Sequence, residues 1–422
     1  MGKAAKMSRE ELSWVLYDVG NSAFVLVMVT AIMPIFFKDF AAATMSGVES
    51  TANWGFANSA ASLILAVLAP VLGAMADFQG RKKRFFLFFL FQGIAFTLLL
   101  VFVGRGQWLL CLILFVLARV GWAGANIFYD AFLPDVTTRE RMDLISARGY
   151  GYGYIGSVLP FLVIIGILLG SGMAGGLPAG PSKVGFVIVA LWWLALSLPA
   201  IKNLKQVHCL PGGTQPVRQS FRQLYRTFQD IRRYKQAFLF LAAYFFYIDG
   251  VDTIISMSTA YGRDLGFGVT LLIVVLLVIQ IVAFPFALLF GKLAGLTSTR
   301  RMIFVGIGIY CLATLAAFFL PAIDNMFYKT LAFWIIAILV ASSMGGIQAL
   351  SRSYFCRLIP AEKSAEFFGF YNIFGKFAAI TGPFLMAVVG RWTGETRWGV
   401  LSILLLFVIG ALLLGLVKES EV

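Results

Sequence analysis

The sequence predicts an all-α integral membrane fold, with twelve transmembrane helices arranged as two pseudo-symmetric six-helix bundles. Three observations predict it. The 422-residue chain is 60% hydrophobic and only 13% charged, with a mean hydropathy of +0.88. An average soluble chain is about 45–50% apolar and about 25% charged, so most of this surface is expected to face lipid. Twelve apolar runs approach or exceed the roughly 20 residues that a helix needs to cross a bilayer. The largest polar interruption, 202–236, leaves six runs on either side.

In order, the first six runs are 14–37, 53–76, 85–104, 108–130, 145–170 and 184–201. The second six are 237–260, 268–290, 302–321, 329–350, 367–389 and 398–417. Many contain Gly or Pro, which membrane helices tolerate. The expected organisation is an N-terminal half (1–201), a cytoplasmic linker (202–236) and a C-terminal half (237–422). Within the linker, Phe221, Leu224, Tyr225, Phe228 and Ile231 recur at helical spacing. They predict an amphipathic helix on the cytoplasmic membrane face, or else a solvated linker helix. The opening "MGKAAKMSREELSW" lacks a signal-peptide pattern, so the first run is expected to stay as a membrane helix.

Basic residues set the orientation. With both termini cytoplasmic, twenty-five of the 34 Lys and Arg fall in cytoplasmic segments. Seven fall opposite: Lys38, Arg105, Lys183, Arg263, Lys329, Arg391 and Arg397. This bias accounts for the net charge of +14 without a nucleic-acid partner. The four cysteines are widely spaced and His208 is the one histidine. Neither a disulfide framework nor a metal site is therefore expected, and no cofactor or enzyme motif is found.

The halves repeat one another. An offset of 226 pairs Pro134 with Pro360, Gly149 with Gly375 and Gly156 with Gly382. An offset of 231 pairs Asp18 with Asp249, Asn21 with Asp252 and Ser22 with Thr253. Such parallel repeats characterise transporters that bind solute near the membrane midplane.

Between the second and third runs lies "GAMADFQGRKKR". Gly73, Asp77, Gly80, Arg81 and Lys82 resemble the signature loop of the major facilitator superfamily. Asp77 ends a helix, where its charge opposes the macrodipole, so it needs a cationic or helix-N-terminal partner. The resemblance implies that it latches the start of span eleven, near Phe367. The second copy, "GKLAGLTSTRRM", has Gly295 where the Asp would stand, so the full charged latch is expected only in the N-terminal half. Three further stretches, "SWVLYDVGNSAF", "ARGYGYGYIGS" and "GGIQALSRSYFCRLIPAEKSAEFFGFYNIFGKF", resemble bacterial relatives of the autophagy-related vacuolar amino-acid effluxers. That likeness implies the major facilitator fold, and the compact length with short loops suits a bacterial inner-membrane protein.

The candidate intramembrane charges are Asp18, Arg119, Asp249, Asp252 and Lys376. Ionisable groups at such depth face the bundle interior or water, and they pair. Asp249 and Asp252 share a helical face and would repel, which favours proton uptake. The superfamily resemblance implies that spans one, four, seven and ten line the cavity, so all but Lys376 lie on cavity helices. Arg119 suits a carboxylate, and an acidic residue suits an ammonium. Asn21, Asn126 and Gln348 are further candidate pathway residues. The expected protein is a monomeric secondary transporter in contact with membrane lipids. It would move a small polar or zwitterionic solute, such as an amino acid, by proton-coupled alternating access. The alternative is an exporter or flippase of amphipathic lipids or drugs.

Overall fold

The computed structural model describes residues 6–171, 178–211, 225 and 234–418. The amphipathic helix expected in the linker lies almost wholly outside these residues. The described chain is helical. Six long helices precede the linker: α1 (Arg9–Ala41), α2 (Gly47–Ala76), α3 (Arg81–Leu99), α4 (Trp108–Ala131), α5 (Met142–Gly170) and α6 (Ala179–Asn203). Six follow it: α7 (Lys235–Asp264), α8 (Val269–Leu296), α9 (Thr299–Phe319), α10 (Met326–Leu358), α11 (Ser364–Thr393) and α12 (Thr396–Leu416). Among the described residues, 11 helices are long and apolar enough to cross a membrane. The remaining expected span, α11, is a continuous helix of 30 residues.

Local chemistry sets the helix boundaries. Ser8 and Glu11 cap each other's backbone N–H groups, so α1 starts one turn before its apolar run. Ser46 and Glu49 do the same for α2, and the Asn325 side chain caps α10. α1 widens to a π-helix over Val25–Ala31, just ahead of Pro34. That proline has no N–H and its ring crowds the carbonyl four residues back, so a widened turn relieves the clash. Pro70, Pro160, Pro199, Pro285 and Pro383 interrupt α2, α5, α6, α8 and α11 without ending them. Large apolar side chains such as Phe56, Leu63, Val67, Phe88 and Leu405 stand more than half exposed. In water such a face would be a liability. Against hydrocarbon it is the outer surface of the bundle.

The chain divides into two compact units. The first comprises Met1–Thr137, Tyr152–Leu224 and Ala361–Gly369, and the second Thr138–Gly151, Tyr225–Pro360 and Phe370–Val422. The first unit packs around aromatic side chains of α1, α3 and α4. Trp14 stacks on Tyr129 at 4.4 Å, and Tyr17 meets Tyr129 and the edge of Phe86. In the second unit Tyr244 of α7 stacks on Tyr371 of α11 at 4.2 Å. A further cluster joins Phe267, Leu272, Val275, Leu320, Phe333 and Ala337.

Candidate functional site

The signature loop is built within the first unit. Gly80 adopts φ +72°, a left-handed turn that favours glycine, and starts α3. Asp77 is fully buried at the end of α2. Its Oδ1 accepts the Ala365 N–H at 2.8 Å and its Oδ2 the Glu366 N–H at 2.9 Å. These are two of the first-turn donors of α11 that no intrahelical carbonyl can satisfy. A Cβ on Gly73 would collide with the Ala365 carbonyl, so glycine lets α2 come this close. Burial pushes the Asp77 carboxyl well above the ordinary carboxylate range. The Lys82 charge and the two backbone N–H groups only partly offset that.

Lys82 is fully buried in the first turn of α3. Its Nζ donates to Asp135 Oδ2 at 2.8 Å, Ser364 Oγ at 2.8 Å and the Ala131 carbonyl at 3.1 Å. Asp135 Oδ1 also accepts the backbone N–H groups of Val207 and His208 and contacts His208 Nδ1 at 3.0 Å. Gln206 donates to the carbonyls of Ala76 and Asp77 and accepts from the Lys82 N–H. The start of the linker is therefore stitched over the loop. Arg81 is half-buried beside it. Sequence reasoning does not find Asp135, Ser364, Gln206 or His208, because each lies dozens of residues or more from the motif it completes.

A second polar group in the first unit joins α1 to α4. Asn21 donates to Asp18 Oδ1 at 3.3 Å, and its own Oδ1 accepts from Trp122 Nε1 at 3.1 Å and Asn126 Nδ2 at 3.4 Å. Asn126 Oδ1 is buried and has no hydrogen-bond partner among the described residues. Arg119, Trp122 and Asn126 fall at helical spacing on one face of α4. Arg119 is half-buried and has no hydrogen-bond or ion-pair partner among the described residues. Trp122 is absent from the sequence expectation, although its spacing from Arg119 and Asn126 is a usable signal.

In the second unit Asp249 is fully buried on α7. Its Oδ1 accepts the Gly382 N–H of α11 at 2.8 Å and the Thr253 hydroxyl at 3.4 Å. Its Oδ2 is without a partner among the described residues. Asp252 is half-buried and makes no hydrogen bond to a described residue. Gln348 is half-buried on α10. The Lys376 side chain lies outside the described residues.

The second unit also holds a charged cluster that the sequence does not announce. Asp143, in the first turn of α5, pairs with Arg357 and accepts the hydroxyls of Thr299 and Ser353. Arg357 also donates to Thr299 Oγ1 at 2.8 Å. Gly291 of α8 crosses α5 here, and a Cβ on it would collide with Ala147. Nearby, Arg352 is buried, donates to Ser146 and lies over the Tyr150 ring at 4.4 Å.

Comparison with known proteins matches residues 46–421 to the family model described as "Vacuole effluxer Atg22 like". An uncharacterized MFS-type transporter of Bacillus subtilis (strain 168), YxiO, is 47% identical over 98% of this chain and 96% of its own. Autophagy-related protein 22 of Coccidioides immitis (strain RS) is 24% identical over 85% of this chain and 72% of its own. The fold is similar to that of the major facilitator superfamily transporter FucP in its outward conformation. There the TM-score is 0.72 at 12% identity, covering 98% of each chain.

Proposed function

We propose a function from one premise: the chain belongs to the Atg22-like vacuole effluxer family. It is an integral membrane protein and a transporter of the major facilitator type, not an enzyme. Beyond that, we infer that it carries a small zwitterionic solute, an amino acid or a close analogue, by proton-coupled alternating access. It works as a monomer in a bacterial inner membrane, with both termini cytoplasmic.

The observation that carries the reading is the α4 face. A guanidinium within a membrane helix is costly unless something neutralises it, and Arg119 has no partner among the described residues. A solute carboxylate fits it through two parallel hydrogen bonds. On the same face, the free acceptor of Asn126 offers an oxygen to an ammonium, and Asn21 links that group to Asp18. A neutral sugar would leave Arg119 uncompensated, and a lipid tail would leave Asn126 dry. The relatives named for autophagy-related protein 22 support the family setting. The proton reading rests on Asp252, a half-buried intramembrane carboxylate with no bonded partner among the described residues.

The test is exchange of labelled amino acids in proteoliposomes. Arg119→Gln should lower the rate at least about tenfold, the loss of one charge-assisted hydrogen-bond pair, and Arg119→Lys should keep part of it. Wild-type rates in Arg119→Gln would overturn the assignment.

A further inference from the structure

The two carboxylates of α7 are held in different ways, and we infer that they divide the labour. Asp249 is a positioning residue that clips a hinge in α11, which leaves Asp252 as the group free to exchange a proton. The second half of this statement rests on the transport reading above. The first half stands on geometry alone.

Asp249 Oδ1 takes the N–H of Gly382, in the middle of α11. The next residue, Pro383, has no N–H to give, and its ring crowds the carbonyl of Ala379. The hydrogen-bond ladder of α11 is thus weakest at Gly382–Pro383. Backbone groups at membrane depth must still be satisfied from within the protein, and a side chain of α7 supplies the acceptor. The approach is close. A Cβ on Gly382 would stand 2.7 Å from Asp249 Oδ1 and collide with the Thr253 hydroxyl.

A hinge also needs room. One turn beyond Gly382, Met386 of α11 lines a largely apolar cavity of about 60 Å³ with Thr253 and Met257 of α7 and Val400 and Ile403 of α12. The segment of α11 beyond Pro383 therefore has a void beside it. Packed helix interiors hold few spaces larger than a water, so a void next to a proline break is where motion costs least. Asp252 has no such bond to the backbone of another helix among the described residues.

Hydrogen exchange read by mass spectrometry on the full chain in nanodiscs tests the clip, without any solute. Asp249→Ala should speed exchange of the backbone around 378–390 by about tenfold, the loss of roughly one hydrogen bond. Asp249→Asn keeps an acceptor oxygen and should stay near wild type. Asp252→Asn should leave this segment unchanged. If Asp249→Ala does not fold, Thr253→Val with Met386→Cys labelling gives a second readout, with faster thiol labelling expected in the double variant than in Met386→Cys alone. Unchanged exchange in Asp249→Ala, or equal opening in Asp252→Asn, would overturn the clip. Thiol labelling no faster in the double variant would overturn it as well. A failed transport assay would leave this result standing, and the converse also holds.

Discussion

Two helix crossings in this molecule look alike and are closed by opposite means. In the first unit Gly73 of α2 packs on Ala365, and in the second Gly291 of α8 packs on Ala147. The difference lies in where the crossed helix begins. α11 starts at Ser364, so the N–H groups of Ala365 and Glu366 are first-turn donors with no internal acceptor. Asp77 supplies one for each. α5 starts at Met142, so Ala147 and Arg148 lie beyond the first turn and already donate along the helix. No cap is needed there, and Gly295 can replace the aspartate. The extra turn instead carries its own carboxylate, Asp143, which reaches out to Thr299, Ser353 and Arg357. The second copy lacks the loop aspartate, and a carboxylate of the crossed helix stands at that crossing instead. Both crossings are closed by a carboxylate, from the loop in one and from the crossed helix in the other.

The comparison can be broken by removing one charge at a time and measuring thermal unfolding of the reconstituted protein. Lys82→Met should cost most, about 3–5 kcal/mol, because it removes the Lys82 counter-charge from a buried Asp135 side chain and leaves it only the Val207 and His208 contacts. Asp77→Ala should cost about 2–4 kcal/mol, since two buried N–H groups lose their acceptors. Asp143→Ala should cost less, about 1–2 kcal/mol, because the partly exposed Arg357 can turn to water. A larger loss for Asp143→Ala than for Asp77→Ala would reverse the account. The comparison is sharpened by Gly295→Asp, which should give no stabilisation because α5 offers no open donors at that level. A clear gain would show that the second crossing wants the same cap as the first.

The sequence reveals these features unevenly, for physical reasons. The twelve helices are readable because a bilayer demands long apolar runs. Even so, α1 reaches back to Arg9 through a capping box at Ser8 that the apolar run does not include. Asp77 is readable because its motif is contiguous. The Asp143 cluster is not, because its partners lie more than 150 residues away. The repeat shows its face but not its register. Gly153 packs on Ser22 and Gly382 on Thr253, the pair that the 231 offset equates, whereas the 226 offset sets Gly156 opposite Gly382. A slip of one helical turn keeps every residue on the same face, so the pattern alone cannot detect it.

The claim on which function turns is that an unclipped carboxylate, Asp252, trades protons against solute. It is tested most directly by a pH-sensitive dye trapped in proteoliposomes, read while an amino-acid gradient is imposed. Wild type should show a solute-driven pH change, and Asp252→Asn should show none while still exchanging labelled solute. A pH change of equal size in both proteins would contradict the claim.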